Sequence, residues 1–333
     1  MEARFYSHLR DDTVQCDLCP HRCIIMSGRS GTCRVRTNRN GKLFADTYGS
    51  LSATHFDPIE KKPLYHFHPG SEIFSLGSLG CNFRCPCCQN YEISQSGKPG
   101  FPRLQEMDIE KVLKTAGSNP ANIGIAYTYN EPFVWYEFMF DIAKRVKEMG
   151  LLNVVVSNGY INPEPLEELI PYIDAFNIDL KAFDVRGYKE FTGGELPYVL
   201  HTLGTIAKHE KHLEITMLVV PGLNDDMGQF ESMVQWIRDR LGKSTPLHLS
   251  RYFPHYKMDT EPTRLDLMVS MAEKAKEQLD HVYLGNVPGS EFQDTYCPSC
   301  GGLVVRRRGY TTQLTGLAAD GTCKDCRHSV VIA

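Results

Sequence analysis

The sequence predicts an α/β chain: a parallel sheet of six strand-then-helix repeats, forming a partial barrel or an open wound sheet, with a small cysteine-rich module at each end. Two observations predict it. Short apolar runs alternate with amphipathic stretches through the middle of the chain, the pattern of a parallel sheet with right-handed crossovers. The twelve cysteines fall into three tight groups, with none between Cys88 and Cys297.

The strand candidates are EIFSLGSLG (72–80), IGIAYTY (123–129), LNVVVSNG (152–159), AFNIDLK (175–181), LEITMLVV (213–220) and LHLSRYF (247–253). Each is short, continuous and rich in β-branched or aromatic residues, as strands buried on both faces should be. Between them, Trp135, Phe138, Met139, Ile142 and Val146 recur at helical spacing, with Gly150 placed to end the run. Pro262 stands as a first-turn proline ahead of TRLDLMVSMAEKAKEQL, and Asn224, Asp225 and Asp226 read as a turn and helix cap. Six repeats are too few for an eight-unit barrel, but in either architecture ligands sit at the carboxyl ends of the strands.

The bulk numbers exclude some classes. A formal net charge of -4 with both signs interspersed provides no basic stripe for a phosphate backbone, so no nucleic-acid partner is expected. MEARFYSHLRDDTV lacks an apolar signal region, and no later run is long enough for a bilayer. A cytoplasmic chain without membrane partners is the expectation, and clustered cysteines then favour metal ligation over disulfides.

Cys81, Cys85 and Cys88 have the spacing CxxxCxxC directly after the first strand candidate. Three thiolates can bind three irons of a cubane cluster and leave the fourth iron open, whereas ferredoxin-type carriers saturate it with four. Cys87 reads as packing, since free cysteine behaves as a small hydrophobe. Cys297, Cys300, Cys323 and Cys326 form two CxxC knuckles suited to a closed tetrahedral zinc site, with an auxiliary iron-sulfur role as the alternative. Cys16, Cys19, Cys23 and Cys33 suit zinc or an auxiliary cluster. His21 could replace one of them, but reads more simply as a surface or turn residue. The segment DPIEKKPLYHFHPG (57–70) is either a loop packed at the barrel mouth or a substrate-facing lid.

The loop CNFRCPCCQN (81–90) resembles the cluster loop of radical S-adenosylmethionine (SAM) enzymes of the pyruvate formate-lyase activating enzyme group. YNEP (129–132), SNG (157–159), DLK (179–181) and VVPG (219–222) are similar to elements at successive strand ends in that group, although Tyr129 and Asn130 stand where it has glycines. CDLCPHRC, DPIEKKPLYHFHPG and DTYCPSCGGLVVRRRGY extend the likeness to the radical SAM component of the AmmeMemoRadiSam system. The resemblance implies a partial (βα)6 TIM-like radical SAM barrel over 69–290, between an N-terminal cysteine-rich module (1–68) and a zinc-ribbon-like module (291–333). It implies a 4Fe-4S cluster on Cys81, Cys85 and Cys88, and SAM contacts at Cys87 (mainly backbone), Asn130, Glu131, Ser157, Asn158, Asp179 and Lys181. The expected chemistry is reductive cleavage of SAM to methionine and a 5'-deoxyadenosyl radical that abstracts hydrogen from a substrate the sequence does not identify. An activase installing a glycyl radical on a partner enzyme, and a non-catalytic iron-sulfur electron-transfer module, are the alternatives. Implied partners are a reductant such as ferredoxin or flavodoxin and the two proteins of the family name.

Overall fold

In the computed structural model of this chain, which describes every residue except Pro288 and Ser290, eight strands form one sheet. They are β1 (Ala53–Pro58), β2 (Glu72–Gly77), β3 (Asn122–Tyr127), β4 (Leu152–Ser157), β5 (Ala175–Asp179), β6 (His212–Val219), β7 (Leu247–Arg251) and β8 (Val282–Gly285). Their spatial order is sequential, all neighbours from β2 to β8 are parallel, and β1 joins the outer side of β2 antiparallel. The six expected strands are all present. Two edge strands were not expected: β1 carries polar residues through ATHFDP, and β8 is only four residues long, too short for a periodicity. The residue at the expected barrel boundary, Ser290, lies outside the described residues.

Among the described residues, a single turn of helix (Tyr91–Ser94) and seven longer helices connect the parallel strands: α1 (Ile109–Ala116), α2 (Tyr136–Glu148), α3 (Pro163–Leu169), α4 (Val185–Thr192), α5 (Leu196–Lys208), α6 (Met227–Arg240) and α7 (Leu265–Lys276). Aspartates open three of them: Asp108, Asp184 and Asp226 each accept a hydrogen bond from a first-turn amide. Helix α2 ends beside Gly150, whose φ of +72° is open to glycine without strain. Helix α7 begins at Leu265 rather than at Pro262, because Thr263 first turns its hydroxyl onto the Val219 carbonyl (2.6 Å). Among the described residues no helix is long and apolar enough to cross a membrane.

The helices bury the convex face of the sheet: Ile125, Val155, Ile178, Ile215 and Leu249 point into the main core. The concave face is filled differently. Segment 57–70 runs along it, packing Ile59, Leu64 and Phe67 against Ile73, Ala126, Val154 and Ala175. It is therefore neither a mouth loop nor a lid; it floors the barrel. Glu214 of β6 anchors it, accepting from the amides of Tyr65 (3.0 Å) and His66 (2.7 Å) and from the imidazoles of His212 (2.9 Å) and His248 (2.6 Å).

The N-terminal segment is fastened to α2 by a buried two-pronged ion pair: both Arg36 terminal nitrogens donate to Glu137 at 2.9 Å. The three-stranded C-terminal ribbon (Thr295–Tyr296, Leu303–Arg308, Thr311–Leu314) is fastened to the floor. Buried Arg307 donates to the Tyr65 carbonyl (2.7 Å), and the amide of Ile332 donates to the His66 carbonyl (2.8 Å).

Candidate active site at the carboxyl ends of the strands

The parallel strands β2 to β8 all deliver residues to one cavity of about 580 Å³, within the size range of small-molecule and cofactor sites. Cys81, Cys85, Cys87 and Cys88 follow β2, Glu131 follows β3, Ser157 and Asn158 lie at the end of β4, and Asp179 and Lys181 at the end of β5. Thr216 and Leu218 of β6, Ser250 of β7 and Asn286 beyond β8 complete the ring. Parallel strands present their carboxyl ends on one side of the sheet, so elements distant in sequence converge there.

The cysteine loop leaves β2 through Ser78–Gly80. Gly80 takes φ +82°, and a Cβ there would lie 2.4 Å from the Cys33 carbonyl oxygen, so only glycine lets the loop pass the N-terminal segment. Asn82 then pins it. Its side-chain amide donates to the Tyr160 carbonyl (2.8 Å), its side-chain oxygen accepts from Asn158 (2.8 Å), and its backbone carbonyl accepts from the His21 imidazole (2.7 Å). His21 is thus a partly buried turn residue, as expected, and it also brackets the loop. Burial raises the Cys81 thiol well above its ordinary range and pushes Cys85 up to about 12. Such thiols become thiolates only beside a compensating cation, as a metal supplies. Cys87 turns its side chain toward Val220 and Tyr252, in an apolar cluster of its own.

Glu131 is buried at the cavity wall. One carboxylate oxygen accepts from the Ser157 hydroxyl (2.7 Å) and the Phe133 amide (3.0 Å), and the other accepts from the Asn158 amide (2.9 Å). Burial pushes this carboxyl up to about 7 against those three donors. An ammonium group beside it restores the charged form, which is the chemistry expected of a cation-binding carboxylate. Lys181 and Asp179 form an ion pair at 2.9 Å on the same wall. Asn130 also lines the cavity, but its side chain holds the loop entry, accepting from the Ser78 amide (3.0 Å) and donating to the Gly80 carbonyl (2.8 Å).

Some wall residues carried no assigned role in the sequence. Tyr129, at φ +70°, folds down the concave face past Gly77, where a Cβ would lie 2.8 Å from its ring. Its hydroxyl donates to Asp57, which also accepts from Lys61 (2.8 Å) and Lys62 (2.7 Å). Tyr310, at the tip of the ribbon hairpin, lines the mouth. The one available signal was the charge density of DPIEKK beside an aromatic standing in a glycine position.

The other cysteine groups lie elsewhere. Cys16, Cys19, Cys23 and Cys33 line a separate small cavity that also touches Asn82, so it sits behind the cysteine loop. Cys297, Cys300, Cys323 and Cys326 have ligand atoms all within 4.8 Å of one another, with Cys297 to Cys326 at 3.5 Å and Cys300 to Cys323 at 3.7 Å. Thiolates around a tetrahedral ion bonded at about 2.3 Å lie about 3.8 Å apart, so this set has mononuclear-metal dimensions.

Comparison with known proteins bears on the whole chain. Residues 76–237 match the Radical SAM superfamily. The chain is 42% identical over 334 residues to the uncharacterized protein MJ0808 of Methanocaldococcus jannaschii, with 99% of each chain covered. It is 25% identical over 162 residues to the pyruvate formate-lyase-activating enzyme of Clostridium pasteurianum, covering 48% of this chain and 67% of that protein. It is 24% identical over 119 residues to the (2S)-3-sulfopropanediol dehydratase activating enzyme of Klebsiella oxytoca, of whose length it spans only 38%. Among solved structures, Streptococcus suis SuiB bound to precursor peptide SuiA shares the fold at a TM-score of 0.51 and 13% identity, over 65% of this chain and 48% of that one.

Proposed function

Since the chain belongs to the radical SAM superfamily, we propose that its cavity binds SAM against a 4Fe-4S cluster held by Cys81, Cys85 and Cys88 and directs hydrogen abstraction from a bound substrate. The observation that carries this reading is convergence. Four cysteines of one loop, among them the three with CxxxCxxC spacing, and a buried carboxylate of the next strand end line a single cavity of cofactor size. When bound, the cluster and SAM together supply a 5'-deoxyadenosyl radical. The chain's own residues bind and orient. Glu131 offers its carboxylate to the methionine ammonium, and the Ser157 hydroxyl and Asn158 amide hold that carboxylate in place. Lys181, paired with Asp179, supplies donors for the carboxylate or ribose of SAM. Asn130 and Asn82 fix the loop from either side.

The C-terminal thiols are proposed to hold a structural zinc ion, and the N-terminal four a zinc ion or an auxiliary cluster. Ferredoxin or flavodoxin would supply electrons. Hydrogen abstraction from a glycine of a partner enzyme is a second reading, favoured by the relatives named as activating enzymes.

Anaerobic reconstitution tests the proposal. With iron, sulfide and dithionite supplied, the protein should convert SAM to methionine and 5'-deoxyadenosine, and Cys81→Ala should abolish this. Intact SAM after full iron loading would leave an electron-transfer role instead.

A further inference from the structure

Resting on the radical SAM reading, we propose that Lys61 and Lys62 on the cavity floor bind an anionic group of the substrate, a carboxylate or a phosphate. The argument is one of charge count. Asp57 accepts from Lys61 Nζ at 2.8 Å and Lys62 Nζ at 2.7 Å, and from the Tyr129 hydroxyl. One carboxylate therefore serves two ammonium groups, and among the described residues neither lysine is paired with a second one. Glu60, between them and Asp57 in sequence, turns away to accept from the Gly70 amide (2.8 Å) and the Thr312 hydroxyl (2.7 Å). The other charges of the cavity are accounted for: Lys181 is paired with Asp179, and Glu131 is of the sign that seeks a cation.

The excess positive charge is held in place at some cost. Lys62 is almost completely buried, its ammonium 4.7 Å from the centre of the Tyr129 ring. Burial pulls it down to about 8 against the attraction of Asp57, with Lys61 adding repulsion. An ammonium so placed gains more from an incoming anion than one in water would. Lys61 differs: 43% of its side chain is exposed, and it too lines the cavity. The pair thus combines a buried cation with a partly exposed one, both held by the same carboxylate. Glu131, following β3, and the lysines, entering from the floor segment, give the cavity groups of both signs on different elements. A zwitterionic cofactor and an anionic substrate can then occupy it without competing for the same groups.

The test uses the full chain, anaerobically reconstituted and saturated with SAM at low ionic strength. Inorganic phosphate and, separately, succinate are titrated calorimetrically. One or both should bind with one-to-one stoichiometry, and the arm that binds identifies the anion class. Lys62→Met and Lys61→Ala should each weaken binding about tenfold or more, the loss expected for one charge-assisted hydrogen bond. Lys62→Arg should retain most of it. If Lys62→Met fails to fold, Lys61→Ala on a partly exposed side chain gives the same readout. The proposal is overturned if neither anion binds, if both lysine variants bind like the wild type, or if SAM displaces the anion, because the lysines would then belong to SAM. SAM binding by the wild-type protein is titrated on its own. Its failure would count against the parent reading, while anion binding to SAM-free protein would still decide this one.

Discussion

Within the loop CNFRCPCCQN, two adjacent cysteines have different fates. Cys87 is buried against Val220 and Tyr252, with Phe191, Leu218 and Met258 packed around them. Cys88 is half-buried and outside that cluster, and its amide donates to the Cys85 carbonyl (3.3 Å), closing a turn; Cys85, Cys87 and Cys88 all line the cavity. Cys87→Ala should therefore keep its full iron content and lose on the order of 1 kcal/mol of stability from the truncated packing. Cys88→Ala should lose the cluster. Iron per chain and visible absorption after reconstitution read both, and the reverse pattern would exchange the two roles. Glu131 is the second residue whose chemistry is specific. Its amide variant Glu131→Gln would turn an NH2 toward a ring of donors, and a hydrogen bond to an ammonium is worth about 1.5–3 kcal/mol. SAM affinity should fall about tenfold to a hundredfold, measured by equilibrium binding, with the circular dichroism of the fold unchanged. These residues were legible in the sequence because ligand spacing and strand-end position are local. Asn130 was legible only as a position: nothing local showed that its amide spans the loop entry between Ser78 and Gly80.

At the scale of elements, the parallel strands were read from apolar runs, and the runs overshoot because their last residues leave the sheet to build the cavity. The floor was not legible. Residues 57–70 show no period, and their place on the concave face is fixed by Glu214, more than 140 residues later in the chain. A lone glutamate in the apolar run LEITMLVV was the available sign. Burial would raise its carboxyl, but hydrogen bonds from His212 and His248 overcome this and hold it well below the usual range. Burial also lowers His281, to about 4, and takes the neighbouring His66 well below its ordinary value. The signs agree. Both kinds of group bind protons less readily when folded, so stability is full above the ordinary histidine value of about 6.5 and falls as pH drops from there toward 4. Urea midpoints measured from pH 7 to pH 4 should fall across that range. Glu214→Gln should lower stability at pH 7 by about 3 kcal/mol and flatten the acid end of the curve. An unchanged midpoint in Glu214→Gln would mean that the floor is held by its apolar contacts and the ribbon without Glu214.

At the scale of the molecule, the two cysteine-rich segments approach the cavity from different sides. The N-terminal one backs the cysteine loop through His21 and the close passage at Gly80. The C-terminal ribbon holds the floor. Arg307 reaches the Tyr65 carbonyl, His66 donates to the Val330 carbonyl (2.7 Å), the amide of His68 donates to the Ile332 carbonyl (2.7 Å), and Tyr310 stands at the cavity mouth. The sequence marks both segments by their thiols and does not show these attachments, because each pairs residues at opposite ends of the chain. If the four ribbon thiols hold a metal as proposed, that ion should stabilise a part of the barrel it does not touch. In Cys300→Ser with Cys326→Ser, both on exposed thiols, the protein should lose one metal ion per chain while keeping iron at Cys81, Cys85 and Cys88. Without its ion the ribbon's small core, built on Cys297, Val304, Val305, Leu317 and Cys323, loses its crosslink. Hydrogen exchange should then accelerate at the amides of Tyr65, His66 and His68, which Glu214 and Ile332 protect in the intact protein. Exchange in β4 and β5, two central strands of the sheet, should not change. If the amides of 57–70 remain as protected as before, the floor is held from the barrel side alone, through Glu214, and the ribbon is an independent attachment.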